Sequence, residues 1–167
     1  MQNEPRRKRL AVHTKQNMKQ EEKQMDQIKL ENVQVCDRAA DWRDAVRTAV
    51  LPLEKNGYVE PRYKEEIISN VERLGPYIVI AENIALPHAR AEQGVLKTQL
   101  GVTLFREPVW FDGKEMPARL FVTLAAADPT SHQDALMAVY EVLEDEAVVE
   151  EILKVKDAEE LYRFFDK

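Results

Sequence analysis

Two of the three histidines in the chain stand where side chains can do chemistry on an anion. His88 follows Pro87, which fixes its own φ angle and restricts the residue before it, so we expect an extended, stiff approach to the imidazole. Arg90 lies two positions further on, and side chains at i and i+2 of an extended chain point the same way. A guanidinium suits phosphate oxygens, so the pair predicts an anion site. An ordinary loop histidine beside a surface arginine is the alternative.

The second histidine, His132, comes shortly after the apolar run at residues 120–126. Thr130 and Gln133 have the spacing of a capping box, which would place His132 in the first turn of a helix. Unpaired N–H groups and the positive end of the helix dipole favour a bound anion there. A helix-start histidine with no task is the alternative. Because ligands of open α/β sheets bind beyond the carboxyl ends of strands, and both histidines follow apolar strands, we expect the two imidazoles to share one anion site.

Other kinds of chemistry find little support in the sequence. Cys36 is the single cysteine, which excludes an intramolecular disulfide and a cysteine-based zinc site, and we assign it no role. Two histidines without suitably spaced cysteine or carboxylate ligands do not indicate a metal site. No Walker loop, dinucleotide fingerprint or nucleophile elbow is present. We therefore expect neither a metal nor a cofactor.

Length and charge indicate one soluble globular domain. The chain has 167 residues, a net charge of −6 and 44% hydrophobic residues. No apolar run approaches the roughly 20 residues that span a bilayer. The basic start is not followed by the apolar region of a secretory signal. A cytoplasmic protein without direct membrane insertion is the expectation, and the single cysteine agrees with a reducing compartment.

The N-terminal residues differ in charge from the rest of the chain. Residues 1–29 carry eight basic and four acidic side chains, a charge of +4, which leaves −10 on the other 138 residues. The basic run at residues 6–9 is a candidate nucleic-acid patch, but it is short and has no interleaved aromatic residues. We expect residues 1–25, which include His13, to be a flexible leader, and residues 26–167 to form the domain. The acidic body predicts no nucleic-acid partner.

Helical and strand patterns alternate along the domain and predict an α/β fold: a three-layer α/β/α single domain with a central mixed β-sheet flanked by helices. An apolar stretch at residues 28–35 comes first. Apolar spacing then predicts a helix from Asp41 to the Asn56-Gly57 stop, and a second from Pro61 to the Gly75-Pro76 stop. Strands are predicted at residues 77–81, 100–104, 109–111 and 120–126. Three helices follow, near residues 130–144, 146–154 and 157–165.

These residues carry a family resemblance. The segment from Gly75 to Arg90 resembles the active-site segment of enzyme IIA of the bacterial sugar phosphotransferase system, mannitol/fructose type. The L-ascorbate branch is similar in four motifs: Val59-Glu60-Pro61-Arg62-Tyr63, Gly75-Pro76-Tyr77, Pro87-His88-Ala89-Arg90 and Ser131-His132-Gln133. The likeness spans roughly residues 30–165. Ala89 stands where Gly is commoner, and Ser131 where Thr is.

The resemblance implies a phosphocarrier cycle. His88 would accept a phosphoryl group from the phosphohistidine of the carrier protein HPr and pass it to a cysteine of the cognate IIB protein, while the sugar enters through the membrane protein IIC. His132 would stabilise the phosphoryl group, and Arg90 and Ser131 are expected to contact the phosphate or a partner. Because both partners must reach His88, we expect it at the surface within an apolar patch.

Two other functions stay open at this point. The first is a regulatory IIA-like module that controls another protein according to its own phosphorylation. The second is a nucleic-acid-binding protein that uses the basic leader. Ascorbate follows from the likeness alone, because the sugar is bound by IIC.

Overall fold

A computed structural model describes residues 28–166, so the predicted leader, with His13, lies outside the described residues. The strands in this part of the chain are β1 (Ile28–Cys36), β2 (Val79–Ala81), β3 (Asn83–Ala85), β4 (Gln99–Val109) and β5 (Ala118–Ala125). The helices are α1 (Trp42–Lys55), α2 (Arg62–Leu74), α3 (Pro129–Leu143), α4 (Glu146–Ile152) and α5 (Ala158–Arg163), and a short 3-10 turn spans Ala91–Gln93.

The strands form one mixed sheet in the order β1-β4-β5-β3-β2. β1 runs parallel to β4, β4 antiparallel to β5, β5 parallel to β3, and β3 antiparallel to β2. Because β3 and β5 are neighbours and parallel, their carboxyl ends lie side by side at one edge of the sheet. The segments that follow these two strands carry His88 and His132.

Helices cover both faces of the sheet, so the predicted three-layer α/β/α architecture is confirmed. The apolar stripes of α1 and α2 pack on one face, against β-strand residues that include Phe105 and Phe121. The helices α3, α4 and α5 pack on the other face, against residues that include Leu104 and Leu120. The alternation of neighbouring residues between the two clusters follows from the pleat of a strand buried on both faces. None of the helices in residues 28–166 is long and apolar enough to cross a membrane.

Both N-terminal helices begin and end where the sequence predicts. The side chain of Asp41 caps α1 by accepting a hydrogen bond of 2.8 Å from the N–H of Asp44. α2 follows Pro61 and ends at Gly75, whose φ of 90° is a backbone conformation that residues with a Cβ rarely adopt.

The strands differ from the prediction in three places. The stretch before α1 is a full strand, β1, whose ladder to β4 is irregular between Ile28 and Val33. Residues 77–81 contribute only the three residues of β2, and the next three-residue strand, β3, was not predicted. The strands predicted at 100–104 and 109–111 are one strand, β4, whose ladder to β5 is interrupted between Leu104 and Val109. Trp110 and Phe111 lie beyond its end.

Candidate functional site

His88 and His132 come together at the sheet edge where β3 and β5 end. The N–H of Leu124 donates a hydrogen bond of 2.9 Å to the carbonyl of Pro87, so backbone pairing with β5 continues to the residue before His88. α3 starts shortly after β5 and carries His132. The two ring centroids are 6.1 Å apart and their planes are inclined by 63°. The imidazoles thus meet in space, as expected from their positions after apolar strands.

A pocket of about 560 Å³ opens over the two rings. Small and apolar side chains make up much of its lining, together with polar groups from α2 and from the loops after β3 and β5: Asn70, Leu74, Tyr77, Ala89, Arg90, Ala91, Glu92, Ala126, Ala127, Asp128, Pro129 and Gln133. Leu74 is 65% exposed at the rim. His88 itself is half-buried. The pocket therefore has an apolar surface around a histidine that remains accessible from outside.

The imidazole of His88 is held in one tautomer. Its Nδ1 lies 2.6 Å from the carbonyl oxygen of Leu86. Because a carbonyl oxygen only accepts hydrogen bonds, Nδ1 carries the hydrogen, and Nε2 has a free lone pair. Burial lowers the pKa of His88 below its ordinary value and the neighbouring His132 lowers it further, while the bond to Leu86 acts in the opposite direction. The ring is therefore neutral and nucleophilic at neutral pH.

Two tyrosines contact the backbone beside this imidazole. The hydroxyl of Tyr77 donates a hydrogen bond of 2.5 Å to the carbonyl of His88, and the tyrosine ring meets the imidazole edge-on at 5.2 Å between centroids. The hydroxyl of Tyr63, fully buried on α2, accepts a hydrogen bond of 3.1 Å from the N–H of Ala89. Burial raises the pKa of both tyrosines above the ordinary value, so both hydroxyls keep their hydrogen.

Sequence reasoning missed both tyrosines as parts of the site. It placed Tyr63 in the apolar stripe of a helix and Tyr77 at the start of a strand. Both stand in the quoted motifs, Val59-Glu60-Pro61-Arg62-Tyr63 and Gly75-Pro76-Tyr77, which was the signal that could have found them.

Arg90 lies at the mouth of the pocket with its side chain largely exposed. Its backbone N–H donates to Oε1 of Gln93 at 3.0 Å, and the same oxygen accepts a hydrogen bond of 3.0 Å from the amide of the buried Asn70. The guanidinium, by contrast, is 83% exposed, and its nearest carboxylate contact, with Glu92, is 4.0 Å long. The backbone of Arg90 is thus fixed, while its guanidinium remains available to an anion or a partner.

The start of α3 corrects the predicted capping box. Asp128, not Thr130, is the N-cap residue, because Pro129 begins the helix. The carboxylate of Asp128 accepts hydrogen bonds of 2.8 Å from the N–H and 2.9 Å from the hydroxyl of Ser131. These contacts and the N–H of Thr130 lower the pKa of Asp128. The N–H of His132 is already bonded to the carbonyl of Asp128 at 3.0 Å.

The first-turn amides of α3 are therefore engaged within the protein, and the expectation of unpaired N–H groups at the start of this helix is wrong. Ser131 binds the capping carboxylate of Asp128, and it is not among the residues that line the pocket. From this turn of the helix, His132 is the pocket-lining residue whose side chain has ring nitrogens.

The chemistry available at the pocket is nucleophilic attack by nitrogen. The pocket offers a nitrogen lone pair on Nε2 of His88, a second imidazole 6.1 Å away between ring centroids, and the positive charge of Arg90 at the rim. Within residues 28–166, no three histidine, cysteine or acidic side chains come close enough together to hold a metal ion.

Comparison with known proteins places this geometry in context. Residues 26–167 match the family described as phosphoenolpyruvate-dependent sugar phosphotransferase system, EIIA 2. The ascorbate-specific PTS system EIIA component of Mycoplasma pneumoniae is 34% identical over 136 residues, which cover 81% of this chain and 86% of that protein.

Solved structures agree. The solution structure of the mannitol-specific cryptic phosphotransferase enzyme IIA of Escherichia coli matches with a TM-score of 0.81 and 31% identity, covering 86% of this chain and 97% of that one. A complex of mannitol enzyme IIA with phosphorylated enzyme IIB from Escherichia coli matches with a TM-score of 0.70 and 30% identity, covering 83% and 97%.

Proposed function

The chain belongs to the EIIA 2 family of the phosphoenolpyruvate-dependent sugar phosphotransferase system, and from that premise we propose that His88 carries the phosphoryl group and His132 stabilises it. The protein is a IIA component, a phosphotransferase that acts as a sugar phosphocarrier. The observation that supports the residue assignment is the free Nε2 of His88, which shares an accessible pocket with the second imidazole 6.1 Å away.

The transfer needs no group beyond these side chains and the partners. The Nε2 lone pair of His88 attacks the phosphorus of the donor, a nitrogen–phosphorus bond forms, and the bond between phosphorus and the donor's nitrogen breaks, with its electron pair staying on the donor. In the second step a cysteine thiolate of the acceptor attacks the phosphorus, and the pair of the Nε2–phosphorus bond returns to His88. His132 and Arg90 would balance charge on the phosphoryl oxygens.

We propose phospho-HPr as the donor and the cysteine of a cognate IIB protein as the acceptor. The apolar rim around His88, with Leu74 exposed, provides a surface on which each partner can dock in turn. A mannitol enzyme IIA with the same fold is known in complex with phosphorylated enzyme IIB. The membrane protein IIC takes part indirectly, through IIB. These proposed partners support a cytoplasmic location for the carrier, and the proposed domain is residues 26–167.

L-Ascorbate is the sugar that we propose for the system. The support is the relative from Mycoplasma pneumoniae, which is named as ascorbate-specific, and the four sequence motifs. Arg90 is the proposed contact to phosphate or partner. Ser131 acts indirectly in this proposal. Its hydroxyl donates a hydrogen bond to Asp128 and so stabilises the start of the helix that carries His132.

A labelling experiment tests the assignment of His88. The protein is incubated with phosphoenolpyruvate, enzyme I and HPr, and phosphohistidine is located by mass spectrometry. We expect one phosphoryl group, on His88, and none in His88→Ala. His13→Ala is the matched control, because it removes a histidine far from the site in sequence, and it should be labelled as the wild type is. Label retained in His88→Ala would refute the assignment.

A second step separates transport from regulation. The labelled protein is mixed with a purified ascorbate IIB protein and, in parallel, with a mannitol IIB protein. Rapid loss of label to the ascorbate IIB cysteine supports the proposed sugar. Retention of label with both would favour the regulatory alternative.

A further inference from the structure

One peptide group beside His88 is bound on both of its polar atoms by tyrosine hydroxyls. The carbonyl of His88 and the N–H of Ala89 belong to the same peptide unit, and they are contacted by Tyr77 and Tyr63 respectively. We propose that these two tyrosines, here called the tyrosine pair, are positioning residues for phosphoryl transfer. The proposal rests on the proposed function of His88 and assigns a role to residues that do not themselves touch the reacting atoms.

Tyr77 binds the peptide from the side of the pocket. Its hydroxyl donates to the carbonyl of His88 at 2.5 Å, and its ring stands almost perpendicular to the imidazole, at 86°. One side chain therefore contacts both the backbone and the ring of the proposed phosphoryl acceptor. The ring restricts where the imidazole can turn, and the hydroxyl restricts the backbone from which the imidazole extends.

Tyr63 binds the same peptide from the opposite side. In a trans peptide the C=O and N–H groups point in opposite directions, so the two hydroxyls cannot replace each other. The hydroxyl hydrogen of Tyr63 goes to the carbonyl of Leu124 at 2.7 Å; the carbonyl of Ala89 is farther away, at 3.4 Å. The oxygen thus accepts from Ala89 while its hydrogen binds β5.

Tyr63 in this way connects the two halves of the site. Leu124 lies at the end of β5, which leads directly to Asp128 and to the helix of His132. Ala89 follows His88. The separation of the two imidazoles is consequently set by one buried hydroxyl as well as by the strand pairing. A displacement of about 1 Å at a reacting group costs on the order of 100-fold in rate, so loss of this connection should slow transfer.

The test uses the full chain and hydroxyl deletions that leave the rings in place. Tyr63→Phe, Tyr77→Phe and the double variant are compared with Tyr162→Phe, which removes a hydroxyl from a tyrosine packed on the other face of the sheet. We expect each single variant of the pair to accept the phosphoryl group from phospho-HPr on the order of tenfold more slowly. Because both hydroxyls hold one peptide group, the double variant should be slowed about as much as the slower single variant, not by the product.

A second readout is independent of phosphate. The ¹⁵N chemical shifts of the His88 imidazole report whether its Nδ1 stays bonded to the carbonyl of Leu86. Because a released peptide lets the ring move away from that carbonyl, we expect a mixture of tautomers in Tyr63→Phe and in Tyr77→Phe, and a single Nδ1–H tautomer in the wild type and in Tyr162→Phe. A variant that only lost stability would keep the wild-type shifts and the wild-type rate per folded molecule, which would overturn the proposal. So would rate losses that multiply in the double variant. If the wild type is not labelled on His88, the proposed function fails. The imidazole shifts then still decide whether the tyrosine pair positions the ring of His88.

Discussion

Removal of the second imidazole is the sharpest test of how the site works. In His132→Ala the phosphoryl group that we propose on His88 would lose the hydrogen bond that we propose from the neighbouring ring, 6.1 Å away between centroids. A hydrogen bond to a charged acceptor contributes about 1.5–3 kcal/mol. Since about 1.4 kcal/mol corresponds to a factor of ten, we expect phosphorylation of His88 to slow on the order of 10- to 100-fold.

The same substitution also acts on His88 through its pKa. The neighbouring His132 lowers the pKa of His88, so its removal raises that pKa toward the ordinary value. At pH 8, where His88 is neutral in both proteins, only the loss of the hydrogen bond is measured. The assay is therefore single-turnover transfer from phospho-HPr at pH 8, followed by hydrolysis of the phosphohistidine observed by ³¹P NMR.

Two further variants complete the design. His132→Gln retains a side-chain N–H and should recover part of the lost rate. Glu141→Ala, an exposed substitution on the same helix, should leave both rates unchanged. Wild-type rates of transfer and hydrolysis in His132→Ala at pH 8 would show that His132 does not contact the phosphoryl group.

Three other predictions follow from the geometry. Because Nδ1 of His88 is bound to Leu86, phosphorylation should occur at Nε2, and the ¹⁵N–³¹P coupling pattern checks this; coupling at Nδ1 would contradict the tautomer. Because the pKa of His88 is lowered below its ordinary value of about 6.5, less than half of the rings are protonated at pH 6.5, so transfer should keep more than half of its pH 8 rate there and reach half only at lower pH; a midpoint above pH 6.5 would contradict the direction of the shift. Phe121→Ala leaves a cavity in the fully buried centre of β5 and should lower the free energy of unfolding by about 3–5 kcal/mol in urea titrations, whereas Phe121→Leu should cost much less.

Elements with a strong local pattern were predictable from the sequence, and those that depend on distant partners were not. The stripe from Trp42 to Leu53 repeats with helical spacing and has a cap before it, so α1 needed no tertiary information. β3 has only three residues and exists because Ile84 pairs with Leu120, which is far away in the chain. At α3 the capping-box spacing predicted Thr130 as the N-cap. Pro129 favours the first helical position, which makes Asp128 the N-cap residue instead.

The site was predictable as far as side-chain chemistry marks it. His88 and His132 carry functional groups whose types and positions after apolar strands indicate an anion site. Tyr63 and Tyr77 escaped because their hydroxyls bind backbone groups, and a backbone carbonyl or N–H has the same identity in every residue. An aromatic residue at helical spacing is typical of a core position, and Tyr63 is indeed fully buried. Its second role, as a hydrogen-bond partner of the backbone, is therefore not visible in the apolar spacing of the helix.

The hydrogen-bond partner of Nδ1 in His88 determines whether the ring loses a proton during the proposed cycle. The carbonyl of Leu86 can neither donate nor remove a proton, so Nδ1 keeps its hydrogen after Nε2 has bonded to phosphorus. In the proposed cycle the phosphorylated ring is then an imidazolium. When the phosphoryl group departs, the ring leaves as neutral imidazole, which is a good leaving group, in its starting tautomer. In the proposed cycle, loading and unloading therefore need neither a general base nor a proton relay to solvent at this ring.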